Sequence, residues 1–260
     1  MNIADKNCSG NRSAAARGKR QTAEAALRGH RFARGVKCGP ALISPRMRAA
    51  ERGLVARWLE SIPPEFAARL PTVRVAVAEP LRNPAGEPAH AASFIPRKYL
   101  LLSPSLFSRP GELGRILYHE LCHFLWPRAP KTRAAWEAHV TREIAAGTAG
   151  EMGYSAESAK TRFFEAWPRA RRLGRIGAPR TGWQPARRPE WRHYLCESFC
   201  DTGAYVLLKD ARRRPSRHSE WTLPPRARAA RAKAWRAALS AADPPRRSSE
   251  PPDSVAGRRA

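Results

Sequence analysis

The 260-residue chain lacks a disulfide framework, a long apolar run and any balance between acidic and basic side chains. Its five cysteines, Cys8, Cys38, Cys122, Cys196 and Cys200, are odd in number and widely scattered. That pattern argues against a small stapled extracellular scaffold and favours a reducing compartment. No two cysteines form a C-x-x-C pair, so an attached zinc ribbon is not expected. No run of about 18 apolar residues occurs, and no apolar stretch opens the chain. Neither a membrane span nor a secretory signal is therefore expected, and the expected location is cytoplasmic. Internal repeats are also missing.

Acidic residues are scarce, 22 against 48 Lys and Arg, for a formal charge of +26. The excess is uneven. Residues 1–37 hold nine Lys/Arg against Asp5 and Glu24, a net of +7. Residues 211–260 hold thirteen against Glu220, Asp243, Glu250 and Asp253, a net of +9. Basic flanks of this kind suit nucleic acid or another acidic surface. The N-terminal run lacks the interleaved aromatics of a stacking platform, so a merely solvated flank is the simpler expectation.

What is present reads as one globular unit between those flanks. Residues 1–40 and the stretch from Pro244 onward have too little apolar surface to offset ordering entropy and read as disordered. The middle, residues 41–210, reads as the folded domain, and 211–260 as a basic C-terminal segment, partly helical. Ser44-Pro45 is a helix-start signal, followed by Met47, Ala50, Leu54, Val55, Trp58, Leu59 and Ile62 at helical spacing. Thr72 to Val77 alternates like a strand, residues 79–97 read as a proline-rich loop, and Tyr99 to Ser103 as a second strand. A helix with Leu113, Ile116, Leu117, Leu121 and Phe124 follows Ser108-Arg109-Pro110 and stops at Pro127. Further helices are expected over 132–146, from Pro189 to about Leu208, and over 224–242. Residues 168–189 read as an irregular basic connection. Trp58, Trp126, Trp136 and Phe124 fall on apolar faces and are expected in the core.

The chemistry sits in His119-Glu120-Leu121-Cys122-His123. Histidines four apart on a helix project from one face, one turn apart, so both imidazoles can reach one metal ion. Glu120 follows the first of them, where its carboxylate can take a proton from a water activated by that metal. Two ligands leave a catalytic zinc site incomplete. A third histidine in the metzincin position is excluded, because Trp126 and Ala129 stand where Gly and His would be needed. Glu197, in the helix after Pro189, is the best remaining donor. Glu137, His139, Glu143, Glu151, Glu157 and Glu165 remain alternatives in the interval. Asp201 lies one turn beyond Glu197 on the same face and can accept the free ring N–H of His119.

His119-Glu120-x-x-His123 followed by a helical Glu197-x-x-x-Asp201 resembles the gluzincin branch of the zincin metallopeptidases. The resemblance covers about residues 72–126 and 189–208. It implies an α+β, zincin-like fold: a small twisted sheet packed on the active-site helix, with additional helices. It implies Zn2+ held by His119, His123 and Glu197, with Glu120 as general base and proton shuttle. It also implies an edge strand for a peptide or protein substrate, here Tyr99 to Ser103. The residue stabilising an oxyanion is not evident. His193, one turn before Glu197, is the first candidate, with a surface or supporting role as the plainer option. Cys122, Cys196 and Cys200 could ligate zinc or act as a redox switch, but small buried core residues are the expectation.

A zinc-dependent peptidase is the leading expectation. The second is a catalytically inactive zincin-like protein whose metal site is structural or sensory and whose flanks bind nucleic acid or a protein partner. A third combines them: a protease recruited to nucleic acid, recognisable by salt-sensitive DNA binding that is lost when residues 1–37 and 211–260 are deleted.

Overall fold

A computed structural model describes residues 35–82, 88–126, 130–167, 188–211 and 221–240. Residues 1–34 of the expected disordered 1–40 segment, the tail expected from Pro244 onward and residues 168–187 of the expected connection over 168–189 fall outside the described residues. Five strands form one mixed sheet: β1 (Val36–Cys38), β2 (Ala41–Ile43), β3 (Val73–Val77), β4 (Ala91–Phe94) and β5 (Tyr99–Leu102). Seven α-helices accompany it among the described residues: α1 (Ala49–Glu60), α2 (Pro64–Ala67), α3 (Pro110–Leu125), α4 (Pro130–Ala145), α5 (Tyr154–Ala166), α6 (Pro189–Asp210) and α7 (Pro225–Ser240). The fold is therefore α+β. No described helix is long and apolar enough to cross a membrane.

The strand order is β1-β2-β3-β5-β4. The inner pairs β2–β3 and β3–β5 are parallel, while β1 and β4 run antiparallel to their neighbours. This corrects the expected edge strand. Tyr99–Leu102 is internal, between β3 and β4, and the edge is β4, in a stretch that reads as loop. The reason lies in the Leu100-Leu101-Leu102 run, all three fully buried. Such a run has no polar face to give to solvent, which suits an inner strand. Leu100 and Leu102 join the main core with Leu113, Leu117 and Leu121 of α3, whereas Leu101 packs on the other face with Ala76, Leu81 and Phe94.

Two further boundaries differ from expectation. The first helix begins at Ala49, not Ser44, because the Ser44 N–H donates to the Val75 carbonyl and extends β2 along β3. Glu51 caps the helix instead, accepting the Arg48 N–H at 2.9 Å. Residues 36–38 form a strand, with Cys38 in the core, so the N-terminal flank ends before residue 40. At the other end, α7 packs against α4 and α6 and buries Arg231, Trp235 and Leu239. The packed unit thus runs past residue 210, and a deletion that separates charge from fold must begin after residue 240.

Helix α3 is the hub, packed on α6, α1 and β4. Close approach is built into its neighbours. A Cβ on Gly114 would stand 2.5 Å from the Trp58 indole, so glycine lets α3 lie against α1. Gly203 similarly admits the Cys122 sulfur between α3 and α6. These contacts bring the polar stripe of α3 to face that of α6.

Candidate metal centre

His119 and His123 leave α3 toward α6, and Glu197 leaves α6 toward α3. Their side chains meet in a cleft of about 510 Å³ between β4, α3 and α6. The His119 Nε2 and His123 Nε2 atoms are 3.2 Å apart. Glu197 Oε2 lies 3.3 Å from the first and 3.8 Å from the second. A tetrahedral ion with nitrogen and oxygen ligands at about 2.0–2.1 Å needs donors roughly 3.3–3.4 Å apart. Two of the three separations lie close to that spacing and the third, 3.8 Å, is somewhat longer, so the two nitrogens and the carboxylate oxygen could hold a divalent ion of zinc's size.

Each donor has a support. Asp201 Oδ1 is 2.7 Å from His119 Nδ1, and its Oδ2 accepts the Ala156 N–H at the start of α5 at 2.9 Å. Asp201 thus turns the Nε2 lone pair of His119 into the cleft and is itself held from a third helix. Gly153 has no room for a side chain there, since a Cβ would be 2.5 Å from the Asp201 carboxyl carbon. Cys196 Sγ lies 3.4 Å from His123 Nδ1, the corresponding position on the second ring. Ser93, on β4, reaches Glu120: its hydroxyl is 2.5 Å from Oε2 and 3.0 Å from the backbone oxygen. The Glu120 carboxylate comes within 4.8 Å of both histidine donors, but Ser93 holds it to the β4 side. His193 lines the cleft from the first turns of α6, with Nε2 3.4 Å from Glu197 Oε1 and nearly half of its side chain exposed.

Ser93, Ala156 and Cys196 are the contacts that sequence reasoning missed. Ser93 lies in a stretch that reads as loop, and Ala156 contributes only its backbone. Cys196 was expected in the apolar core, yet it lines the cleft beside an imidazole. His139 and Glu143, among the alternative donors, pair with each other at 3.2 Å on α4 instead. Glu151 is buried against Arg231.

Charge in the cleft is concentrated. Burial opposes a charge on His119, but Asp201 and Glu197 outweigh it and hold its pKa well above the ordinary imidazole value. Burial likewise opposes His123, while Cys196 and Glu197 raise it to about 9. Glu197 feels burial too, but His123, His119 and His193 hold its carboxyl well below the usual range. Cys196 is lowered to about 6, first by its hydrogen bond with Cys200, then, against burial, by His123. Glu197, Asp201 and Cys196 thus place negative charge around the two imidazoles, which favours a cation between them.

No family model, curated protein or solved structure matches the chain. The functional reading therefore rests on these residues and their geometry.

Two expectations arise directly. An imidazole must be unprotonated at its donor nitrogen to ligate, so metal uptake at neutral pH should release protons and affinity should rise with pH through the raised value of His123, about 9. Calorimetry in buffers of different ionisation enthalpy measures that release. Asp201→Asn removes the charge that orients His119 and lowers metal affinity about 10–100-fold, as is typical for a partner behind a ligand. Competition with a chromophoric chelator measures the loss.

Proposed function

We propose that the chain is a zinc-dependent peptidase of the gluzincin kind, with His119, His123 and Glu197 as metal ligands. The observation that carries this reading is the mutual spacing of 3.2, 3.3 and 3.8 Å among two imidazole nitrogens and one carboxylate oxygen, with Glu120 beside them. Zinc in that position supplies Lewis acidity to a water and to a substrate carbonyl.

The chain's own residues do the rest. Glu120 takes the proton of the attacking water at its carboxylate and delivers it to the leaving amine. Ser93 holds Glu120 Oε2 on the β4 side, leaving the other oxygen for that proton. Asp201 fixes His119 as a ligand through Nε2 by accepting from Nδ1. His193, at the cleft wall, donates to the negative charge that develops on the carbonyl oxygen. Strand β4 has β5 on one side and no pairing strand on the other among the described residues. An extended peptide can add to that edge, with main-chain hydrogen bonds placing its carbonyl over Glu120. The four described cysteines are free, which fits action in a reducing compartment.

The test uses an unfolded protein as substrate. Cleavage is expected with zinc, lost with a chelator and restored by zinc. A protein that holds zinc stoichiometrically yet cleaves nothing in a broad peptide library overturns the peptidase reading.

A further inference from the structure

The His123 ring has a second side. Its Nε2 faces His119 and Glu197, while its Nδ1 faces sulfur. Cys196 Sγ is 3.4 Å from Nδ1. Cys200 follows one turn later on α6. The Nδ1 atom and both sulfurs lie within 4.8 Å of one another. Neither thiol is in a disulfide. Cys196 lines the cleft, so an ion entering from solvent reaches it first, and Cys200 is buried behind it.

One nitrogen and two sulfurs make a soft donor set, unlike the nitrogen and oxygen set across the ring. Thiolates select thiophilic ions such as Cu+, Cd2+ or additional Zn2+, and such ions accept few ligands and irregular geometry. We propose that His123 Nδ1, Cys196 and Cys200 form a second metal site for a thiophilic ion, back to back with the first across one imidazole. Ligation takes both sulfurs as thiolates and Nδ1 without its proton, and whatever protons those three atoms still carry go to solvent. No oxidation or reduction is involved. Because the ring is shared, an ion at the thiols changes the ligand field of the first site, so a thiophilic metal can modulate whatever that site does. The second site takes Nδ1 and two sulfurs, none of them a donor to the first, and does not require hydrolysis.

Cadmium is the probe, added to full-length protein already given one equivalent of zinc. The readouts are the thiolate-to-cadmium charge-transfer band in the ultraviolet and the metal content after gel filtration. The band is expected to saturate at about one cadmium per chain. The nitrogen and oxygen set of the first site gives no such band. Cys196→Ser should weaken cadmium binding at least ~10-fold, and Cys196→Ser with Cys200→Ser should abolish the band. Cys122→Ser should leave it intact. In wild type, cadmium should also shield Cys196 from iodoacetamide, a readout that no variant's folding can disturb. Absence of the band, its survival in the double variant, or equal alkylation of Cys196 with and without cadmium overturns the second site. Zinc retained with no cadmium band defeats this inference alone. A cadmium band at Cys196 and Cys200 in a protein that never cleaves a peptide defeats the peptidase reading alone.

Discussion

Glu120→Gln should lower turnover about 10²–10⁴-fold, the usual contribution of a positioned general base, while zinc content stays unchanged. Glutamine has the shape of glutamate and can still accept from Ser93, so the cleft keeps its form. It cannot take a proton at neutral pH. Since Glu120 is not among the three proposed metal donors, the ion should remain. The proposed substrate edge at β4 is unaltered, so the loss should fall on kcat with little change in KM. Steady-state kinetics and metal analysis on one preparation check this. Loss of zinc together with activity would make Glu120 a ligand. Undiminished cleavage would remove it from the chemistry.

The second large effect lies away from the cleft. Arg231 of α7 is 1% exposed, and its guanidinium pairs with Glu151, which is fully buried. Arg231 Nε also donates to Glu143 at 2.6 Å, and Tyr194 and Lys160 hold Glu151 at 2.6 and 2.9 Å. Burial raises the Glu151 pKa, but Arg231 and Lys160 outweigh that and leave it lowered. Its ionised form is thus native-like, and the stability it contributes is lost as pH falls through the folded pKa. Arg231→Met removes the main partner of a buried carboxylate, at a cost of about 3–5 kcal/mol. Glu151→Met in the same chain should recover part of that, because an apolar pair needs no compensation. Urea unfolding of the three proteins measures it. A single variant within about 1 kcal/mol of wild type would show that the pair does not hold α7. The network also reaches the cleft: Glu151 stands two residues before Gly153, which packs on Asp201. Loosening it should weaken metal binding as well.

The sequence shows local periodicity well and long-range pairing poorly. Histidines at 119 and 123, and acids at 197 and 201, are visible because one helical turn sets each spacing. The facing of α3 and α6 follows from apolar stripes that share a core. The edge strand was not legible, because Ala91–Phe94 is short, follows three prolines and carries only Phe94 as a β-former. Its place outside β5 is decided by pairing, not by its own residues. Helix α5 was missed because its buried face is Ala156, Ala159 and Phe163, too small and sparse to signal helix. Arg231 is one of several basic residues in a helix with few apolar ones, and nothing in its neighbours marks it as buried. Its partner is 80 residues away and has no local mark.

The most direct measurement is anomalous scattering at the zinc edge from crystals grown with one equivalent of zinc. One peak is predicted, about 2.0–2.1 Å from His119 Nε2, His123 Nε2 and a Glu197 oxygen. A peak at any other group of residues, or none, contradicts the proposed centre.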